Sequence, residues 1–118
     1  MQFTLGEGEY RLLELIWSQG ALPSGQLVKL CQEELGWKKS TTYTHIKRLS
    51  EKGLVRNEDT VVTALVAREQ VQRQESTQVV ERSFGGSLPG FVAAFLKGKT
   101  LSEEDAKQLK ELIDRHRG

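Results

Sequence analysis

The segment KKSTTYTHIKRL, residues 38–49, decides the fold, because it has the pattern of an amphipathic helix. At about 100° per residue, Thr42, Ile46 and Leu49 fall within one narrow arc, as expected for a face that packs on a core. The opposite face carries hydroxyl and basic side chains instead of the usual glutamate and lysine pairs. We therefore predict a helix over roughly Lys39–Lys52 whose outer face is either merely solvated or reads a ligand.

Patterns on both sides of this helix predict the rest of the N-terminal region. Apolar residues at helical spacing predict a first helix over Glu7–Ser18, and a second helix that follows Ser24 as its cap. The segment 21–23 between them is predicted to be an extended link. β-Branched residues over 54–65, interrupted by a polar turn at 57–60, predict a hairpin. Three helices followed by a two-stranded ribbon is the order of a winged helix-turn-helix, whose third helix is free to enter a major groove.

The C-terminal region is predicted to be a helical dimerisation domain, residues 68–118, after a winged-helix domain of residues 1–67, so the fold class is mainly α. Ser87 and Ser102 are predicted to cap its last two helices. Three short helices with so few large apolar groups could hardly form a core alone, and pairing with an identical copy is the economical solution. The predicted dimer interface consists of Phe84, Leu88, Phe91, Val92, Phe95, Leu96, Leu109, Leu112 and Ile113.

Basic charge is concentrated around the opening segment, although the 118-residue chain has a net charge of only +1. Residues 37–56 carry six basic groups and one acidic group, whereas residues 1–36 and 57–118 are net negative. Neutralising phosphates supplies much of the affinity for DNA. The basic side chains predicted to contact phosphates are Lys38, Lys39, Lys47, Arg48, Lys52 and Arg56.

The cysteine and histidine content argues against a metal site. Cys31 is the only cysteine, and the two histidines, His45 and His116, are far apart in the sequence. No ligand set for a structural zinc is present, and Cys31 is predicted to be a small core residue. His45 is predicted to be a boundary residue that bonds a backbone carbonyl.

The sequence shows neither the features of an enzyme nor those of a membrane protein. It has no glycine-rich phosphate loop and no nucleophile and base at a recognisable spacing, so we predict neither catalysis nor a cofactor. It lacks an apolar run of membrane-spanning length and the features of a signal peptide. A cytoplasmic protein is therefore expected.

Four stretches of the chain, in this order and spacing, carry a resemblance to a known family. They are EYRLLELIWSQG at residues 9–20, STTYTHIKRLSEKGLV at 40–55, ALVARE at 64–69 and SFGGSLPGFVAAFL at 83–96. Together they resemble the penicillinase repressor family of bacterial transcription regulators. The resemblance implies a homodimeric repressor that binds a two-fold DNA operator through its winged helices.

The resemblance also implies which residues read bases. The matching positions on the third helix are Ser40, Thr41, Tyr43, Thr44 and Arg48. The best-known members have a lysine and an arginine at positions 40 and 43, so we expect a different operator here. The alternative that stays open is a winged helix that makes protein contacts without binding specific DNA.

A further implication concerns the segment GFVAAFL, residues 90–96, where the best-known relatives are cut by a membrane-bound sensor protease. The matching bond here is Ala94–Phe95. The apolar spacing of the segment is explained fully by a dimer interface, which we favour over an interface that is also a cleavage site.

The hairpin is shorter than in relatives, and it has Glu58 and Asp59 at its tip where relatives often have basic residues.

Overall fold

A computed structural model describes residues 3–118 of the chain, which form two compact units with a boundary between Glu75 and Ser76. The first unit contains α1 (Glu7–Gln19), β1 (Leu22–Pro23), α2 (Ser24–Leu35), α3 (Lys39–Glu51), β2 (Val55–Glu58), β3 (Val61–Ala64) and the first part of α4 (Arg68–Phe84). The second unit contains the rest of α4, α5 (Leu88–Leu96) and α6 (Glu103–His116). The predicted fold class, a winged helix followed by a helical region, is confirmed.

The core of the first unit lies between α1, α2, α3 and the sheet. The predicted inner arc of α3 is confirmed, because Thr42, Ile46 and Leu49 are all buried. Cys31 of α2 is also buried, as predicted, and burial raises the pKa of its thiol. The inner face of α3 is therefore fully used in packing, and only its outer face is available to a ligand.

The sheet has three antiparallel strands in the order β1–β3–β2. Leu22 of β1 pairs with Val62 of β3, so the segment predicted to be an extended link is a strand. The predicted hairpin is confirmed, but its turn is shorter than expected. Asp59 and Thr60 have φ values of 52° and 63°, as in a two-residue hairpin loop whose twist matches that of the strands.

The last two helices begin at the predicted caps. The Ser87 hydroxyl accepts a hydrogen bond from the Gly90 amide at 2.9 Å, and the Ser102 hydroxyl accepts one from the Asp105 amide at 3.1 Å. Each bond satisfies an amide that has no partner within the first turn of a helix.

The prediction that Ser24 caps α2 is wrong. Pro23 is the capping residue, and Ser24 is the first residue of the helix. The Ser24 amide donates to the carbonyl of Thr60 in the hairpin turn at 2.7 Å, and its hydroxyl accepts from the Tyr43 hydroxyl at 3.3 Å. Ser24 thus connects α2 to both α3 and the β2–β3 hairpin, which is the wing of the winged helix, through partners that lie far from it in the sequence.

The second unit has no buried residue in α5 or α6. Its aromatic side chains contact one another instead: the Phe84 and Phe91 rings are 5.4 Å apart and meet edge to face, and the Phe91 and Phe95 rings are 6.5 Å apart. None of the helices within residues 3–118 is long and apolar enough to cross a membrane.

Candidate nucleic-acid interface

The outer face of α3 and its N-terminal approach form an exposed, basic surface. Its exposed residues are Lys38, Lys39, Ser40, Thr44, Lys47 and Arg48. In the part of the chain that the structure describes, none of these four cations has an ion-pair partner. Thr41 is half-buried at the edge of the surface. The surface therefore offers uncompensated positive charge beside hydroxyl groups, which suits a phosphate backbone and the base edges next to it.

Thr44 has a defined orientation on this surface. Its hydroxyl donates to the carbonyl of Ser40, one turn earlier, at 2.9 Å. Because the proton is used within the helix, the groups left to contact a base are the methyl group and the oxygen lone pairs. A methyl group suits contact with the methyl group of thymine.

Tyr43 lies at the side of α3 that faces α2. It is half-buried, packs against the core, and its hydroxyl donates to Ser24. The structure therefore gives Tyr43 an intramolecular role as a link between the two helices of the helix-turn-helix, beside the base-reading role that the resemblance implies.

Two of the predicted phosphate-binding cations are paired within the chain. The Lys52 ammonium forms an ion pair with the Glu9 carboxylate, which is only 6% exposed, and also donates to the carbonyl of Thr4. Arg56 of β2 pairs with Glu58 at 3.1 Å on the exposed side of the wing. The sequence contains no local signal for the first pair, because its partners are 43 residues apart.

The Glu9 carboxylate is held in its charged form. Burial tends to raise its pKa, but the hydrogen bonds from Lys52 and from the Gly6 amide, together with the Lys52 charge, lower the pKa below its usual value. The Gly6 amide donates to the second carboxylate oxygen at 3.2 Å. The start of α1 and the C-terminal cap of α3 are therefore joined by a partly buried ion pair.

His45 stacks on an aromatic ring, and the prediction that it bonds a backbone carbonyl is wrong. Its imidazole lies 4.7 Å from the Trp37 ring, and its Nδ1 atom is buried without a hydrogen-bond partner among the described residues. Burial lowers the pKa of His45, the nearby charge of Arg48 lowers it further, and Glu9 opposes both. The ring is therefore neutral at pH 7.

Most of the predicted interface residues of the second unit are exposed apolar groups. Phe84, Phe91 and Leu96 are half-buried. The others are 39–59% exposed: Leu88, Val92, Phe95, Leu109, Leu112 and Ile113. The Ala94–Phe95 bond lies inside α5, in helical conformation. Within residues 3–118, no group of three or more histidine, cysteine, aspartate or glutamate residues could hold a metal ion.

Comparison with known proteins identifies the family. The model of the penicillinase repressor family matches residues 5–115. The chain belongs to the penicillinase repressor family. This family consists of DNA-binding transcriptional repressors rather than enzymes, and the winged helix described above is consistent with that role.

Two curated relatives of this family member cover most of its length. A protein of Latilactobacillus sakei, described as an uncharacterized 16.5 kDa protein in the ptsI 3′ region, is 29% identical over 109 residues, which are 89% of this chain and 75% of the relative. The penicillinase repressor of Bacillus licheniformis is 21% identical over 117 residues, 96% of this chain and 91% of the relative. The resemblance proposed from the sequence is thus confirmed over nearly the whole repressor.

Proposed function

We propose that the protein is a homodimeric repressor that places the outer face of α3 in the major groove of a two-fold operator. The observation that carries this proposal is the division of α3 into a buried inner face and an exposed outer face with four unpaired cations. A helix in this position of a winged helix-turn-helix is the element that enters the groove. Two such helices in a dimer would contact half-sites about one helical turn apart.

Different residues have different proposed roles on the DNA. Lys38, Lys39 and Lys47 would neutralise phosphates, and this contribution is independent of sequence. Arg48 is suited to two hydrogen bonds with guanine, and the Thr44 methyl group to thymine. Ser40 and Thr41 lie beside them and complete the proposed set of base-reading residues. Tyr43, Lys52 and Arg56 are left out of the set, because their polar groups have partners within the chain.

Dimerisation through the second unit is supported by its exposed apolar side chains. Phe95, Leu109 and Leu112 line a cavity of about 320 Å³ between α5 and α6. Contiguous apolar surface of this kind marks an interaction site in a soluble protein. An identical copy is the partner we propose, since a two-fold operator requires two winged helices. We propose no cleavage at Ala94–Phe95, because the interface explains the segment.

Binding of variants to two DNA duplexes tests the base-reading proposal. The specific duplex is the tightest sequence that the wild-type protein selects from a random pool, and the control is a scrambled duplex of the same composition. Arg48→Ala should cost about 1–3 kcal/mol on the selected duplex and less on the scrambled one. Lys39→Ala should weaken both and reduce the salt slope by about one unit.

A matched pair at Thr44 refines the test. Thr44→Val keeps the methyl group and removes the hydroxyl, whereas Thr44→Ser keeps the hydroxyl and removes the methyl group. If the methyl group reads thymine, only the serine variant loses discrimination. Equal losses on both duplexes for Arg48→Ala and Lys39→Ala would contradict the base-reading assignment. A wild-type protein that selects no sequence from the pool would instead favour a winged helix that contacts proteins.

A further inference from the structure

Two consecutive residues at the start of α1 contact α3 at two places. Gly8 lies against His45, and Glu9 pairs with Lys52. The two α3 residues are seven positions apart, which is about two helical turns or 10 Å along the axis. Arg48 lies between them in the sequence, on the exposed side of the helix. The start of α1 therefore holds the inner side of the same segment whose outer side carries the proposed base-reading arginine.

The first contact is unusually close and depends on the missing side chain of Gly8. A Cβ atom at this position would lie 2.9 Å from His45 Nε2, 3.0 Å from His45 Cε1 and 3.4 Å from Trp37 Cζ2. Carbon atoms do not approach ring atoms at 2.9 Å, so any other residue would force the imidazole to move. The Trp37 ring packs against the imidazole in a tilted arrangement, with the ring centroids 4.7 Å apart, and so restricts the directions in which the imidazole can move.

The chemistry of His45 also indicates that its role is not to bind a ligand directly. Its Nδ1 atom is buried without a partner among residues 3–118, and its other ring nitrogen faces Gly8. A half-buried ring whose inner nitrogen makes no hydrogen bond there contributes shape and ring packing. Since His45 is part of α3, a Cβ atom that pushes on its ring can be accommodated by a rotation of the side chain or by a shift of the helix that bears Arg48, and close packing on Trp37 favours the second.

We propose that His45 is a positioning residue for operator reading, held between Gly8 and Trp37 so that α3 presents Arg48 at a fixed depth and angle. The Glu9–Lys52 ion pair fixes the other end of the same segment. This inference rests on the proposed function of α3. It predicts that a disturbance at Gly8, on the far side of the helix from the DNA, reduces discrimination between sequences while leaving phosphate contacts intact.

Gly8→Ala tests the proposal, and Gly25→Ala is its matched control. Both glycines are the second residue of a helix, but a Cβ atom at Gly25 would meet nothing within 4 Å. Alanine favours a helix over glycine in both places, which in Gly8→Ala offsets part of the cost of the close contact with His45. We expect Gly8→Ala to reduce the ratio of affinities for the selected and scrambled duplexes on the order of tenfold, the size of one lost base contact. Gly25→Ala should leave the ratio unchanged.

Two additional measurements separate positioning from a loss of folding. The salt slope of Gly8→Ala should equal that of the wild type, because the phosphate contacts are retained. In a His45→Ala background, Gly8→Ala should have less than about a twofold effect on the ratio, since the close contact is gone. The indole N–H resonance of Trp37 should shift in Gly8→Ala and not in Gly25→Ala.

Several outcomes would overturn the proposal. It is wrong if Gly8→Ala discriminates as well as the wild type, if it weakens both duplexes equally, or if its effect persists without His45. Should Gly8→Ala fail to fold, His45→Gln takes its place, and an unchanged ratio in that variant would refute the positioning role. If the wild type does not distinguish the two duplexes, the proposed function fails first, and this inference fails with it.

Discussion

The two units of this repressor differ in how far they bury their apolar side chains. In the first, every element from α1 to β3 contributes a buried residue, and several side chains, such as those of Leu12 and Leu49, are completely inaccessible. In the second, neither α5 nor α6 has any buried residue, although their apolar side chains are as large. Apolar content alone therefore does not make a core, because the helices must also enclose one another.

This difference in burial suits the two units to different roles. A self-sufficient core allows the winged helix to hold α3 rigidly, as reading bases requires. In the proposed dimer, the helical unit would bury its exposed apolar face against a second copy, and its stability would then depend on protein concentration.

Truncation of a leucine should affect the two units very differently. Leu12→Ala removes a side chain with no exposure and should lower the free energy of unfolding of the first unit by about 2–5 kcal/mol. Leu112→Ala, at a half-exposed site, should lower the free energy of unfolding of the second unit by less than about 1 kcal/mol, as measured by far-UV circular dichroism, which reports the helices of both units. Both tryptophans, Trp17 and Trp37, belong to the first unit, so urea denaturation followed by their fluorescence reports on that unit alone. Similar losses in the two variants would refute the contrast.

A charge on the exposed apolar face should separate the dimer without unfolding the winged helix. We expect Leu109→Glu to be a monomer by light scattering at micromolar concentration, because a buried, unpaired carboxylate is costly. Its affinity for the operator should fall on the order of a hundredfold as the second half-site is lost. Lys107→Glu, an exposed charge change in the same helix, is the control and should remain a dimer. A wild-type protein that is already monomeric would contradict the proposed assembly.

Mild acid should weaken the first unit through His45. Its pKa in the fold is below the usual value of about 6.5, because of burial and the charge of Arg48 and despite the opposing Glu9 carboxylate. The unfolded chain therefore binds the proton more readily, and stability is lost as the pH falls from about 6.5 through the lower pKa of the folded state. His45→Gln should remove this part of the pH dependence when unfolding is measured between pH 7.5 and 5. The same slope in both proteins would exclude His45 as its source.

Local patterns were sufficient to predict most of the fold. The helices occur within a residue or two of the predicted ends, and the caps Ser87 and Ser102 are confirmed by their hydrogen bonds. The buried arc of α3 follows from its 3.6-residue period. These features depend on neighbours within one or two turns, which is the range that a sequence pattern describes.

The sequence did not reveal polar contacts between residues that are far apart along the chain. Ser24 is not a cap, since Thr60 and Tyr43 take its amide and hydroxyl. Lys52 remains a predicted phosphate ligand, and the fold gives it an additional partner, Glu9, which is 43 residues away in the sequence. In each case the polar group has the expected chemistry and a partner that only the fold brings near.

The short strand β1 also affects the tendency of the protein to aggregate at high concentration. Open sheet edges can recruit strands from other chains and so start aggregation. Here one edge of the sheet ends after two residues in Pro23, which has no amide hydrogen to donate, and the other edge carries the charged pair Arg56 and Glu58. The sheet is thus a poor template for a strand of another molecule. Association of copies of the chain through their helices, as proposed above, is therefore favoured over association through their sheets.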